Sequence, residues 1–144
     1  MKIGVVGLGK MGGNMSRRLM KAGHKCVVYA RTAKSREALV KDGALEAVSL
    51  ADLVNMLTHK PRAVWLMLPA GQATDDTVAE LATLLEAGDI IIDGGNSFYK
   101  DDIRRAKTLS EKGIRYVDCG TSGGVWAMAR GYVMMIGGPK EAVD

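Results

Sequence analysis

A doubly wound α/β domain, with a mostly parallel sheet covered by helices on both faces, is the fold this sequence predicts. Short apolar, β-branched runs alternate with amphipathic segments along the 144 residues, with no repeat, linker or low-complexity stretch. The connections are short, so the crossovers are right-handed and the strands mostly parallel. The unusual loops, Gly7–Gly13, Ala30–Thr32, Leu68–Gly71, Gly94–Phe98 and Gly120–Gly124, each fall at the carboxyl end of a strand. Ligands of such sheets bind at that edge.

The elements follow in order. KIGVVGL, Lys2–Leu8, is apolar or glycine after its first residue, as a strand buried on both faces requires. From Lys10 to Ala22 the helical spacing puts Met11, Met15, Leu19 and Ala22 on one face, and Gly23 stops it. KCVVYA, Lys25–Ala30, is the next strand, and Ser35 to Lys41 begins a helical pattern that closes at Gly43. Ser49 caps a short helix running to about Thr58. RAVWLML, Arg62–Leu68, is a third strand, and Thr74–Glu86 a helix closing at Gly88. DIIIDGG (Asp89–Gly95) and IRYVDCG (Ile114–Gly120) are strands on either side of a helix over Lys100–Lys112. GYVMMIGG, Gly131–Gly138, is the last strand.

Composition excludes several classes. Hydrophobic residues are 47% and charged residues 25%, which suits a globular chain the size of one domain. The longest apolar runs, VWLML and DIIID, fall far short of the roughly 20 residues a membrane helix needs. The brief apolar run after Lys2 ends in glycines, unlike a signal peptide. No membrane partner is expected, and the location is read as cytoplasmic. The net charge of +4 comes from scattered basic residues, with aromatics only 5%. That is no nucleic-acid footprint, and a small anionic ligand accounts for the charge. Cys26 and Cys119 lie in apolar segments without C-x-x-C or C-x-x-H spacing. They read as reduced core residues, and no metal site is expected.

Gly7, Gly9 and Gly12 stand in G-x-G-x-x-G spacing, directly after a strand and opening a helix. Gly7 permits the tight turn, Gly9 lets a pyrophosphate approach the backbone, and Gly12 allows close helix–strand packing. Free N–H groups at the helix start then bind the anion. The fold is therefore read as a Rossmann-type dinucleotide-binding domain. The second strand ends about twenty residues beyond the glycines, where an NAD site carries an acidic residue for the ribose hydroxyls. Here the chain reads YART, Tyr29–Thr32, with no carboxylate. Ala30 repels no 2′-phosphate, Arg31 offers a planar, permanently charged fork, and Thr32 adds a hydroxyl donor. Lys34 and Arg36 add positive potential nearby. NADP is the expected coenzyme, in preference to NAD.

Two further stretches exceed what a generic nucleotide fold needs. DGGNSFYKDD, Asp93–Asp102, sets Asn96 and Ser97 at a strand mouth. Asn96 donates and accepts at once, which suits a place between a carboxamide ring and a polyhydroxylated substrate. GTSGG, Gly120–Gly124, supplies a hydroxyl pair and then backbone free to turn N–H groups toward a carboxylate or hydroxyl.

GLGKMGGNM, MLPAGQATDD, DIIIDGGNSFYKDD and SGG resemble, in order and spacing, the decarboxylating 6-phosphogluconate dehydrogenases. The resemblance runs across essentially the whole chain, and IIIDGGNS followed by a charged helix is its specific part. Val125 and Trp126, after SGG, resemble the shorter bacterial branch, since the longer enzymes carry acidic residues there. The resemblance implies oxidation of C3 of 6-phosphogluconate by hydride transfer to NADP or NAD. It further implies loss of carbon dioxide from the β-keto acid, and ribulose 5-phosphate as product, with no metal required. By position it implies that Gly7, Leu8, Gly9, Lys10, Met11 and Gly12 hold the pyrophosphate. Ala30, Arg31 and Thr32 would face the adenosine ribose, and Leu68, Pro69 and Ala70 would line the coenzyme beyond the third strand. The longer enzymes have a lysine at the position of Pro69, so the charged contact is not carried over. Asn96 would touch coenzyme and substrate, and Ser122, Gly123 and Gly124 would hold the carboxylate end of the sugar acid.

The family's general base is a lysine and its partner acid a glutamate, both in an all-helical domain that follows the coenzyme domain. The sequence ends in GGPKEAVD, where a helix opens at Pro139, so residues 1–144 are read as the coenzyme domain of a larger, homo-oligomeric enzyme. No catalytic residue is assigned within it, and alone it is expected to bind NADP without turnover. His24, in the turn before the second strand, and His59, at the end of a helix before Pro61, are read as exposed. A 3-hydroxyisobutyrate-type β-hydroxyacid dehydrogenase shares the glycine loop and the SGG turn but lacks the asparagine-bearing extension. A non-catalytic NADP-binding module is the alternative from another class.

Overall fold

A computed structural model describes residues 2–69, 71–95, 99–122 and 133–137. Strands and helices alternate as β1 (Lys2–Val6), α1 (Lys10–Lys21), β2 (Lys25–Tyr29), α2 (Ala33–Lys41), β3 (Leu45–Glu46) and α3 (Leu50–Met56). Then come β4 (Ala63–Leu66), α4 (Gln72–Leu84), β5 (Ile90–Asp93), α5 (Tyr99–Ser110), β6 (Arg115–Ser122) and β7 (Val133–Gly137). They build one 7-stranded sheet in the order β3-β2-β1-β4-β5-β6-β7. The pairings from β3 through β6 are parallel, and β7 closes the edge antiparallel to β6. The expected doubly wound, mostly parallel sheet is the fold observed.

Side-chain alternation divides the core. Successive strand residues point to opposite faces, so Val27 and Val28 pack on different sides. On one face Val6, Val64, Leu66 and Ile91 meet Leu53 of α3, Val78 and Leu81 of α4, and Leu109 of α5. On the other, Ile3, Val5, Cys26 and Val28 meet Leu39 of α2, with Leu19 and Met20 of α1 packed against them. Cys26 and Cys119 are buried and unbridged. Burial pushes the Cys26 thiol up to about 11, as expected of an inert core cysteine. No helix among the described residues is long and apolar enough to cross a membrane.

Several boundaries differ from the expectations, for identifiable reasons. β1 stops at Val6, because Gly7 (φ 96°) turns the chain out of the strand, and β2 stops at Tyr29, whose carbonyl accepts from the Gly7 amide at 3.1 Å. The edge strand β3 has no counterpart in the sequence reading, since two residues are too few to show a period. α4 begins at Gln72, directly after Gly71, whereas Thr74 had looked like its start. The Thr74 hydroxyl instead donates to the Pro69 carbonyl at 2.9 Å and tacks the preceding loop to the helix. The Ser49 cap is present: its Oγ accepts from the Asp52 amide at 3.0 Å, and Asp52 Oδ2 accepts from the Val48 amide at 3.0 Å.

β6 does not end at Gly120 but continues through Thr121 to Ser122, which pairs with Val133 of β7. Ser122 is therefore a strand residue rather than part of a free loop. An antiparallel partner supplies the backbone bonds that prolong the strand, and nothing local announces that partner.

Candidate functional site

The strand order reverses between β1 and β4, which makes the crevice beyond their carboxyl ends the switch point of the sheet. Ladder bonds continue past the strands and hold this edge together. The Gly7 amide donates to the Tyr29 carbonyl at 3.1 Å, Met67 to Val6 at 2.8 Å, and Gly94 to Leu66 at 2.8 Å.

The turn and the close packing expected at Gly7 and Gly12 are present. Gly7 has a left-handed φ of 96°, and a Cβ there would run into the Met67 carbonyl oxygen. A Cβ on Gly12 would run into the carbonyl oxygen of Gly7, so α1 lies closer to the turn than any side chain permits. Gly9 is different. Its backbone (φ −64°, ψ −173°) suits any residue, and a Cβ there would meet nothing within 4 Å. Gly9 faces open space at the start of α1. The first intrahelical bond runs from the Gly13 amide to the Gly9 carbonyl at 2.8 Å, leaving the amides before Gly13 directed out of the helix end. No side chain caps this end and no acidic residue sits in the first turn, while Arg18 and Lys21 occupy the last. The positive end of the dipole is left for an outside anion.

Beside this loop lies a cavity of about 420 Å³. Gly7, Ala30, Arg31, Leu68 and Pro69 line it, so five residues singled out from the sequence meet in one place. Tyr29 lies among them, and the opposite wall is a stripe of α4: Ala73, Asp76, Thr77 and Glu80. The α4 stripe was not singled out from the sequence. Its i, i+3, i+4, i+7 spacing was the available signal, but charged residues on such a face normally mark only solvent. Leu8 and Gly9 line a second, shallower hollow of about 350 Å³, with Arg17, Lys34 and Ser35.

The remaining sequence-derived residues are distributed as follows. Thr32 is the exposed residue before α2, its Oγ1 2.8 Å from the Ser35 hydroxyl. Lys10 and Met11 open α1, and Ser122 ends β6. Ala70, Asn96, Gly123 and Gly124 lie outside the described residues. Arg31 is exposed and takes part in no ion pair among the described residues. Arg36 does not share that freedom. It donates to the Ala30 carbonyl at 2.5 Å, lies 6.0 Å over the Tyr29 ring and stands 3.9 Å from Glu46. Its guanidinium braces the turn that follows β2. His59 is exposed, whereas His24 is half-buried, a departure from the exposed turn expected. Both histidines precede strands and so stand at the amino edge of the sheet, opposite the cavity.

A buried ionic cluster, also missed from the sequence, joins the mouths of β4 and β5. The Arg105 side chain is 2% exposed and donates through Nε to Asp75 at 2.9 Å. Asp93, 0% exposed, takes a hydrogen bond from the Tyr116 hydroxyl at 2.8 Å. Burial alone would raise the Asp75 carboxyl and lower the Arg105 guanidinium. Hydrogen bonds from Arg105 and Arg104 outweigh it and hold Asp75 below the usual carboxylate value, while Asp75 raises Arg105. Asp89 is likewise held low, burial being outweighed by the Glu86 and Arg62 amides and the Arg62 guanidinium.

Because the native values of Asp75 and Asp89 lie below the ordinary 3.8, their stabilisation is complete above that value. It is lost as pH falls through the lowered native values. Thermal melts followed by circular dichroism are expected to hold steady from pH 7 to about 4.5 and to fall below about 4. A smaller acid loss is expected in Asp75→Asn.

An uncapped helix start, a loop with space where a Cβ would stand, and a cavity at the switch point together define a dinucleotide-binding domain. The chain belongs to the family described as the NAD binding domain of 6-phosphogluconate dehydrogenase, which it matches over residues 2–144. It is 42% identical over 144 residues to the NAD(+)-dependent, decarboxylating 6-phosphogluconate dehydrogenase of Haloferax volcanii, covering 100% of this chain and 47% of that protein. It is 45% identical over 145 residues to the decarboxylating 6-phosphogluconate dehydrogenase of Aggregatibacter actinomycetemcomitans, covering 97% of this chain and 30% of that one. The Plasmodium falciparum 6-phosphogluconate dehydrogenase, solved in apo form and in complex with NADP+ and with 6-phosphogluconate, superimposes with a TM-score of 0.93. That match is 37% identical and covers 100% of this chain and 32% of the other. The chain thus spans less than half the length of these relatives.

Proposed function

We propose that this chain is the coenzyme domain of an NADP-dependent enzyme that oxidatively decarboxylates 6-phosphogluconate to ribulose 5-phosphate. When bound, the coenzyme supplies a nicotinamide ring that accepts hydride. The chain's own residues bind and orient. The amides opening α1 take the pyrophosphate at Gly9, and Leu68 and Pro69 flank the coenzyme beyond β4. In this reading Asn96 meets coenzyme and substrate, and Ser122, Gly123 and Gly124 meet the carboxylate end of the sugar acid. The proton-transfer groups, a lysine and a glutamate, are proposed to lie outside residues 1–144, and turnover to require them. A cytoplasmic, homo-oligomeric enzyme is the corresponding whole.

The observation that carries the NADP preference is Arg31. It is exposed at the cavity next to Gly7, engaged in no ion pair among the described residues, and Ala30 stands where a ribose-binding carboxylate would. A guanidinium–phosphate hydrogen bond contributes about 1.5–3 kcal/mol. Arg31→Ala is therefore expected to weaken NADP about 10- to 100-fold in calorimetric titration, with NAD changed by less than about threefold. Equal loss for both coenzymes, or none, contradicts the preference. A substrate panel on the full-length protein, with 6-phosphogluconate against 3-hydroxyisobutyrate, separates the two dehydrogenase readings.

A further inference from the structure

The loops after β4 and β5 meet backbone to backbone. A Cβ on Gly95 would run into the Leu68 carbonyl oxygen, and the Gly94 amide donates to Leu66 at 2.8 Å. Arg105 of α5 ties the same two loops through its side chain. Its Nε donates to Asp75 Oδ1, in the first turn of α4, at 2.9 Å, and its Nη2 lies 3.5 Å from the Gly71 carbonyl. Its Nη1 lies 3.5 Å from Asp93 Oδ2, at the end of β5. Asp93 passes the constraint on: Oδ2 accepts from Tyr116, and Oδ1 accepts from the Gly95 amide at 2.9 Å. One planar fork therefore spans both mouths.

The position of this cluster distinguishes it from ordinary core packing. A buried ion pair is a poor source of stability compared with apolar side chains of similar volume, but it holds its partners to one geometry. Here the geometry fixed is the carboxyl edge of β4 and β5. A dinucleotide lies across the switch point, one half over each side of the sheet. Arg31, after β2, faces the adenosine half across the cavity it shares with Leu68 and Pro69, which leaves the mouth of β5, one strand farther from β2, to the other half. We propose that Arg105 is a positioning residue for the nicotinamide half of the coenzyme, setting the spacing between the Leu68–Pro69 wall and the mouth of β5. This rests on the coenzyme reading above, and the test separates the two.

Titrations of this protein with NADPH and with 2′,5′-ADP, which has the phosphorylated adenosine end but no nicotinamide, provide that test. In Arg105→Lys a single ammonium cannot reach Gly71, Asp75 and Asp93 together. NADPH affinity is expected to fall about tenfold, and the bound dihydronicotinamide to lose its fluorescence enhancement, with 2′,5′-ADP unchanged within about twofold. Tyr116→Phe and Asp75→Asn, which keep the guanidinium, are expected to show the same split at about threefold. They decide the matter should Arg105→Lys fail to fold. Folded variants that alter both ligands equally, or neither, overturn the inference. A wild-type protein that binds neither ligand overturns the coenzyme reading and the inference with it.

Discussion

Gly9→Ala is expected to leave the fold intact and abolish coenzyme binding, whereas Gly12→Ala is expected to damage the fold itself. A Cβ at Gly9 enters open space, and its φ of −64° is ordinary for alanine. Losing glycine at the helix cap costs about 1 kcal/mol or less, so the melting midpoint should move by only a few degrees. The added methyl group nevertheless occupies the place a pyrophosphate must approach, and affinity should fall at least about 100-fold. At Gly12 two effects compete. Alanine gains about 1 kcal/mol of helix propensity over glycine, but its Cβ collides with the Gly7 carbonyl oxygen. Backbone cannot yield as a side-chain tip does, and overpacking of this kind costs about 3 kcal/mol. The collision wins. Thermal unfolding beside coenzyme titration distinguishes the two variants, and a destabilised Gly9→Ala would show that the loop is a packing feature.

Asp89→Ala is expected to be the most damaging substitution away from the glycine loop. Asp89 is 1% exposed and accepts from the Arg62 amide at 2.8 Å, the Glu86 amide at 2.8 Å and the Arg62 guanidinium at 2.9–3.0 Å. It binds the start of β4 to the turn that follows α4. Alanine leaves the Arg62 side chain, 10% exposed, with its charge uncompensated. Breaking a buried pair from one side costs about 3–5 kcal/mol, or about 10–20 °C in melting midpoint for a chain of this size. Asp89→Asn keeps acceptor capacity for the amides and should cost less. If alanine and asparagine proved equally mild, the pair would contribute no more than an exposed salt bridge.

How much of the site could be read beforehand depended on the range of the interactions. The tight turn at Gly7 and the close packing at Gly12 followed from spacing alone, although the Met67 carbonyl that Gly7 packs against lies on another strand end. The meeting of Ala30, Arg31, Leu68 and Pro69 in one cavity followed from strand alternation, because every strand mouth opens on the same edge. Arg36 was read only as positive potential beside the ribose site. Its partners include Glu46, on a strand too short to show a pattern. The α4 stripe was passed over because Asp76 and Glu80 resemble any solvated helix face. Ser122 was placed in a loop because its strand is prolonged by β7, eleven residues ahead, through backbone bonds that carry no side-chain signature.

Sequence alone determined the alternation of strands and helices, the anion-ready start of α1 and the basic rather than acidic end of β2. Each of these is encoded within one or two turns of chain, where periodicity and glycine placement act directly. Only the tertiary structure decided that Arg105 reaches Asp75, thirty residues away, and that both are joined to Asp93 at the next strand mouth. Crossover geometry sets which helix lies over which strand end, and a charged residue on an amphipathic helix gives no sign of whether water or a carboxylate will meet it.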